Sequence, residues 1–277
     1  MGIMINPEKE IINVKNWIKD YFAKNGPGHN AIIGISGGKD STIAAKLLVD
    51  ALGKDRVIGV KMPCGEQHDI SVSNDVIDYL GIKSYEVNIQ DACNAYYANL
   101  SKAIYGQPLS TKFLDKRIVT NAPARERMNV LYGIAAVNNG RVVNTCNFSE
   151  DYIGYSTKYG DASGDFAFLR GFTVRELRAI GLTLDLSKDW IMKIPEDGMT
   201  GKSDEEQTGI PYDVLDDFLL DGIYPGADIY EKIESLHKNN LHKELNIPMY
   251  LPRCRYDENG TIQSSFKSAS RCNSIYF

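Results

Sequence analysis

Apolar and polar positions follow two patterns along this chain: short continuous apolar runs, and longer stretches with apolar residues at helical spacing. Asn6 and Pro7 suit a helix cap and a first helical turn, and the apolar stripe that follows reaches Tyr21. The run at 31–33 is typical of a buried strand, and residues 42–52 return to helical spacing. This strand–helix order repeats, which predicts an α/β protein.

The alternation continues to residue 145. It predicts strands at 56–61, 83–89 and 141–145, and helices at about 69–80, from the third strand through 105, and at 125–137. Strands that alternate with helices form parallel sheets through right-handed crossovers. Because the strands are continuously apolar, we expect helices on both faces. The predicted fold class is a doubly wound parallel α/β sheet.

The pattern changes after residue 145. Residues 146–172 are rich in Gly, Asp, Ser and aromatic side chains with little periodicity, which indicates an irregular functional segment. Thr173 and Glu176 form the pattern of a capping box, which predicts a helix at 174–183.

The remaining part of the chain is predicted to be mainly helical. A polar loop at 195–209 is followed by helices at about 213–220 and 229–238. We expect one domain over 1–277, with the core sheet at about 28–190 and a C-terminal helical part at about 191–277.

Composition narrows the class of protein. The formal charge of −5 and pI near 5.5 argue against an extended nucleic-acid surface, although they permit a local basic pocket. No apolar run is long enough to cross a membrane, and the N-terminus lacks a signal-peptide pattern. The 5 cysteines form no C-x-x-C pair, which favours reduced thiols and a cytoplasmic location.

Eight consecutive residues carry the clearest chemistry. They follow the first strand directly and read Gly34, Ile35, Ser36, Gly37, Gly38, Lys39, Asp40, Ser41. A strand, a glycine-rich turn and a helix N-terminus form a cradle of backbone N–H groups that favours phosphate. The spacing is not that of a Walker A loop. It resembles the pyrophosphate loop of the N-type ATP pyrophosphatases, whereas the simplest alternative is an ordinary tight turn.

Three further blocks make a family resemblance specific. They are Arg125-x-Arg127-Met128, Thr145-x4-Glu150 and Thr157-Lys158-Tyr159-Gly160-Asp161. With the phosphate loop they resemble NAD synthetase over roughly residues 5–250. The resemblance implies an adenine-nucleotide α-hydrolase-like, Rossmann-like fold with extra C-terminal helices, and amidation of deamido-NAD by way of an adenylate.

The resemblance also implies roles for individual residues. ATP would be held by the loop 34–41 and Thr145, and Mg²⁺ by Asp40 and Glu150. The residues that match deamido-NAD contacts of the family are Arg125, Lys158, Asp165, His242 and Lys243. Asp161 is our hypothesis for the base that deprotonates ammonium, with Lys158 stabilising charge. Each of the deamido-NAD residues could instead be an ordinary solvated charge.

The nitrogen source follows from length. Only about thirty residues precede the first strand, too few for a glutamine amidase domain, so we expect free ammonia as the substrate. The family further implies a homodimer.

Two positions depart from the family pattern. Val174 stands where many members have a lysine that contacts ATP, and Glu196 where they have a threonine. Lys202 or Lys39 could supply the missing charge. The alternatives are therefore another adenylating amidotransferase resembling GMP synthetase, a tRNA-thiolating relative, and a nucleotide sensor without catalysis.

Overall fold

The computed structural model describes residues 5–67, 70–193 and 203–244. Its strands are β1 (Asn30–Gly34), β2 (Val57–Lys61), β3 (Lys83–Glu86) and β4 (Gly140–Val142). Its helices are α1 (Pro7–Asn25), α2 (Lys39–Leu52), α3 (Ile70–Leu80), α4 (Gln90–Tyr105), α5 (Lys116–Val137), α6 (Phe148–Ile153), α7 (Val174–Thr183), α8 (Lys188–Ile191), α9 (Asp204–Thr208), α10 (Tyr212–Asp221) and α11 (Ala227–Glu244). The predicted alternation of strands and helices up to β4 is confirmed. None of these described helices is long and apolar enough to span a bilayer.

The four strands form one parallel sheet in the order β3-β2-β1-β4. In the centre, Ile32 lies opposite Ile58 on one side and Val142 on the other. Just beyond β4, Val143 pairs in parallel with Phe166. The chain extends the sheet from β1 through β2 to β3 and then places β4 on the opposite side of β1. The switch in strand order therefore lies between β1 and β4, where open α/β sheets bind ligands.

Helices cover both faces of the central strands, as predicted. Ile33 packs into a cluster with α1, α2 and α7, whereas Ile32 faces Met128 and Leu131 of α5. The expectation of complete cover was wrong for β3, whose residues are exposed except for the half-buried Tyr85. β3 is an edge strand, and charged side chains suit an edge because they oppose pairing with other chains.

The helix predicted at 125–137 begins earlier, at Lys116, and continues through Pro123. Proline has no N–H, so the carbonyl of Val119 loses its helical donor. The Tyr97 hydroxyl donates to that carbonyl at 3.1 Å. This substitute bond helps the helix to pass its proline.

The C-terminal elements pack against the end of the sheet domain. Ile153 of α6, Val174 of α7, Tyr212 of α10 and Ile233 of α11 share one buried cluster. Two segments predicted as irregular contain short helices, α6 within 146–172 and α9 within 195–209. The division into a core and a C-terminal part stays a prediction, because 245–277 lies outside the described residues.

Candidate active site

The loops after β1 and β4 meet at the carboxyl edge of the sheet, beside the switch in strand order. The loop 34–41 is braced by its own hydroxyl groups. Ser36 Oγ lies 3.1 Å from Ser41 Oγ and accepts a bond from the Gly38 N–H at 3.2 Å. Gly37 has φ +77°, and a Cβ there would lie 3.1 Å from Val72. Both the conformation and the close approach require glycine.

Helix α2 begins inside this loop, with Gly38 as an N-cap that offers no side-chain bond. The first N–H groups of the helix, beginning at Lys39, therefore have no acceptor within their own helix. The helix dipole adds positive potential at the same point. This end of α2 is suited to bind phosphate oxygens.

A charged cluster lies beside the helix end. The Lys39 ammonium is 2% exposed as a residue and lies 2.7 Å from Asp40 Oδ2. Burial lowers the pKa of Lys39, but Asp40 and Glu150 outweigh it, so the pKa stands above its ordinary value. Burial and the neighbouring Asp40 charge raise the pKa of Glu150 well above its ordinary value. The cluster therefore joins the segments after β1 and β4 electrostatically.

The two carboxylates are suited to a divalent cation. Asp40 Oδ1 is buried without a hydrogen-bond partner, and the pKa of Glu150 is raised partly by the charge of Asp40. A cation between them would relieve both effects. Among the described residues, no group of three or more His, Cys, Asp or Glu side chains is arranged to hold a metal. Substrate oxygens would therefore have to complete the coordination of Mg²⁺.

Glu150 is held in place by a capping box at the start of α6. Asn147 Oδ1 accepts from the Glu150 N–H at 3.0 Å, and Glu150 Oε2 accepts from the Asn147 N–H at 3.4 Å. The next bonds reach other helices, because Ser149 Oγ donates to Asp216 of α10 and accepts from the Val174 N–H at 3.1 Å. The helix that carries Glu150 is thus tied to both α7 and α10.

Asp161 lies in a turn beside the end of β4. Its Oδ1 accepts from the Thr157 N–H at 3.0 Å, and its carbonyl accepts from Asn144 Nδ2 at 2.8 Å. Crowding of the carboxyl raises the pKa of Asp161, although Lys243 opposes the shift and the residue as a whole stays exposed. Thr145, the predicted ATP contact, is half-buried directly after Asn144. The predicted base and the predicted nucleotide contact therefore share one structural neighbourhood.

An open cleft of about 520 Å³ borders this turn. It is lined by Arg125, Tyr132, Tyr159 and Ser163, among others. Arg125 Nε donates to the Lys158 carbonyl at 3.3 Å while its side chain stays exposed. The cleft combines a cation with aromatic rings, a surface that suits an anionic nucleotide with a planar base.

The other predicted deamido-NAD residues make contacts within the chain. Both carboxylate oxygens of Asp165 accept bonds, from the Val142 N–H at 2.7 Å and the Tyr132 hydroxyl at 3.3 Å. Burial, followed by the Asp165 charge, raises the pKa of Tyr132 to about 12. Asp165 thus braces the strand end and one wall of the cleft.

Helix α11 brings His242 and Lys243 to the same region. Lys158 Nζ donates to the His242 carbonyl at 2.5 Å, and Lys243 Nζ donates to the carbonyls of Gly154 and Ser156 at 2.7 and 2.8 Å. Burial lowers the pKa of Lys243, an effect that Asp161 opposes. These contacts attach α11 to the segment that leads to Asp161.

The structure locates one of the two departures from the family pattern. Val174 is fully buried at the start of α7, so its side chain packs into the apolar cluster of the C-terminal helices. Glu196 and Lys202 lie outside the described residues. Lys39 is already paired with Asp40.

Sequence reasoning missed three residues of this region. Asn144 and Tyr132 gave no signal, because their partners are distant in sequence. Asp204 influences the pKa of Glu150 from the first turn of α9. The capping box of Ser203 and Glu206 was the available sign that α9 begins there.

Comparisons with known proteins agree with this geometry. The family model described as NAD synthase matches residues 10–249. An NH(3)-dependent NAD(+) synthetase from an Exiguobacterium species is 34% identical over 267 residues, covering 92% of this chain and 94% of that protein. The enzyme of the same name from Thermoplasma acidophilum is 32% identical, covering 85% and 96%. The solved NMN synthetase from Francisella tularensis aligns with a TM-score of 0.79 and 31% identity, over 89% of this chain and 99% of that one.

Proposed function

Because this chain belongs to the NAD synthase family, we propose that it is a ligase that uses ATP and ammonia to convert deamido-NAD into NAD, AMP and pyrophosphate. The relatives from Exiguobacterium and Thermoplasma are named for the ammonia-dependent enzyme. They do not favour a GMP-synthetase-like enzyme, a tRNA-thiolating enzyme or an inactive sensor. One observation carries the proposal: the phosphate loop with Glu150 and the turn with Asp161 lie at the same edge of the sheet.

The first step forms an acyl adenylate. An oxygen of the nicotinate carboxylate attacks the α-phosphorus of ATP, and the bond from that phosphorus to the bridging oxygen of pyrophosphate breaks. The loop 34–41 would hold the leaving pyrophosphate through the N–H groups at the start of α2, with Thr145 contacting ATP. Lys39 and these donors offset negative charge without having to reorganise.

We further propose that Asp40 and Glu150 hold Mg²⁺. The unpartnered Asp40 Oδ1 and the pKa of Glu150 raised by Asp40 support this assignment. Bound Mg²⁺ would neutralise phosphate charge.

The second step is amidation. Ammonia attacks the carbonyl carbon of the adenylate, and the bond from that carbon to the AMP oxygen breaks. In our proposal Asp161 removes a proton from ammonium, and the raised pKa of its carboxyl suits a base. Lys158 stabilises charge, and Arg125, Asp165, His242 and Lys243 form or support the deamido-NAD site.

Product analysis tests the reaction. The purified chain is supplied with ATP, Mg²⁺, ammonium and deamido-NAD, and NAD, AMP and pyrophosphate are quantified together. The three products should form in equal amounts, and pyrophosphate release should require deamido-NAD. Pyrophosphate release that is independent of deamido-NAD would contradict the proposal.

A second substrate is favoured by one specific observation. The Francisella protein that aligns with a TM-score of 0.79 is named NMN synthetase, so nicotinic acid mononucleotide is a candidate acceptor. The cleft beside Arg125 is open enough to admit either nucleotide. The ratio of kcat/KM for the two acids, measured at saturating ATP and ammonium, decides between them.

We also infer a homodimer and a cytoplasmic location. Exposed apolar side chains on α4 and α5, among them Ile104 and Val137, support the dimer. The free thiols of Cys64, Cys93 and Cys146 support a reducing compartment. Sedimentation equilibrium would test the assembly.

A further inference from the structure

Asn144 makes an unusual set of bonds for a single buried side chain. It is 4% exposed, and its Nδ2 donates to two carbonyls of one turn, Asp161 at 2.8 Å and Ser163 at 3.1 Å. Its Oδ1 accepts from the Cys146 N–H at 3.0 Å. All three bonds are to backbone groups, so the side chain holds the path of the chain.

These bonds join two parts of the proposed site. On one side lies the end of β4, where Asn144 directly precedes Thr145 and its own N–H donates to the Phe166 carbonyl at 2.9 Å. On the other side lies the turn that carries Asp161. Because both amide ends are engaged, the orientation of the Asn144 side chain is fixed, and with it the distance between strand and turn.

Packing leaves this arrangement little freedom. A Cβ on Gly164 would lie 2.8 Å from both Cβ and N of Asn144, so the turn fits directly against this residue. Cys146 Sγ also donates to the Asp161 carbonyl, at 3.3 Å, but a thiol is a weak donor. Without Asn144, the carbonyls of Asp161 and Ser163 would lose their strongest side-chain donor in a crowded site.

We propose that Asn144 is a positioning residue, which holds the Asp161 turn against the end of β4 and so places the Asp161 carboxylate for attack by ammonia on the adenylate. This inference rests on the proposed role of Asp161. Asn144 touches neither the loop 34–41 nor Glu150 through any of these bonds. It should therefore affect amidation and leave adenylation largely intact.

The test separates the two half-reactions in Asn144→Ala. Exchange of labelled pyrophosphate into ATP, with deamido-NAD and without ammonium, reports adenylation. Single-turnover formation of NAD after ammonium is added reports amidation. We expect exchange close to the wild-type rate and amidation slower by about tenfold to hundredfold, because small misplacements of a catalytic group have effects of that size.

Two comparisons distinguish positioning from general damage. Combining Asn144→Ala with Asp161→Asn should slow amidation no further than Asp161→Asn alone, because the residue acts through Asp161. Asn138→Ala is the matched control: its side chain also bonds Ile134, Lys83 and Tyr85, but it precedes β4 at the opposite edge of the sheet. The control should not separate the two half-reactions.

If Asn144→Ala does not fold, Asn144→Asp keeps the size and the acceptor for Cys146 while losing both donors, and it should give the same separation. An equal loss of exchange and amidation in the folded variant, or full additivity with Asp161→Asn, would overturn the proposal. Absence of deamido-NAD-dependent exchange in the wild-type protein would instead overturn the proposed function, and this inference with it.

Discussion

The phosphate end of the site and the acceptor cleft are built in opposite ways. At the phosphate end, Lys39 is 2% exposed and its charge is already matched by Asp40. In the cleft, Arg125 is exposed and Tyr159 is 58% exposed. One end is enclosed and electrostatically complete apart from the cation and phosphates, whereas the other presents a cation and aromatic rings to solvent.

This difference separates the two tasks of the enzyme. The phosphate end comes from one strand–helix junction and the capped helix α6, elements that the core of the sheet makes rigid. The cleft comes from α5 and the turn 157–164, with α11 packed behind. We infer that cleavage of ATP depends on the first region and the choice and amidation of the acceptor on the second.

The largest expected effect is at the phosphate end. Asp40→Asn should slow both pyrophosphate exchange and overall NAD formation by about a thousandfold, because it removes a carboxylate aimed at the phosphates and the cation. Asp50→Asn, which removes the exposed partner of Lys46 on the same helix, should leave both rates unchanged. Wild-type exchange by Asp40→Asn would break the division between the two regions.

The enclosed cluster should also appear in stability. Lys39→Met leaves Asp40 and Glu150 without their buried counter-charge and should lower the free energy of unfolding by about 3 kcal/mol. Lys46→Met breaks only the pair with Asp50 and should cost less than about 1 kcal/mol. Urea unfolding without ATP or Mg²⁺ makes the comparison. Equal losses would mean that the cluster is not electrostatically enclosed.

At the second region, Asp161→Asn should slow single-turnover amidation by about a hundredfold. The base must be ionised, and the pKa of Asp161 is raised, so wild-type amidation should fall as pH drops through that raised pKa, above the ordinary value of 3.8. The Asn variant should lack this acidic limb. A limb that persists unchanged in the variant belongs to another group and removes Asp161 from the mechanism.

The smallest effect is expected in the open cleft. Arg125→Ala should raise the KM for deamido-NAD by about tenfold with little change in exchange at saturation, since an exposed cation contributes mainly to binding. Arg117→Ala, on the same helix but paired with Asp115, is the control. An unchanged KM would mean that the acceptor binds elsewhere.

Contiguous patterns in the sequence predicted much of this division. The strand, the loop 34–41 and α2 follow one another directly, so local spacing was enough to locate the phosphate end. The capping pattern of Asn147 and Glu150 was equally readable, yet α6 was missed because its surroundings lack periodicity. The start of α5 was missed because Pro123 argues against a helix unless a distant hydroxyl, here that of Tyr97, replaces the lost bond.

The cleft could not be derived in the same way. Asn144 meets the turn at 161–163, and Lys243 meets carbonyls 89 and 87 positions away. Such contacts depend on how the elements pack, and no local spacing encodes them. The resemblance to a family named the residues of the cleft, but only the structure shows that Asp165 and Lys243 brace it through bonds within the chain.

Pyrophosphate exchange catalysed by Asp161→Asn, with deamido-NAD and without ammonium, tests the central claim most directly. The division into two regions predicts exchange at the wild-type rate from a variant that amidates slowly. Loss of exchange in proportion to the loss of amidation would contradict it, because the two ends of the site would then act as one.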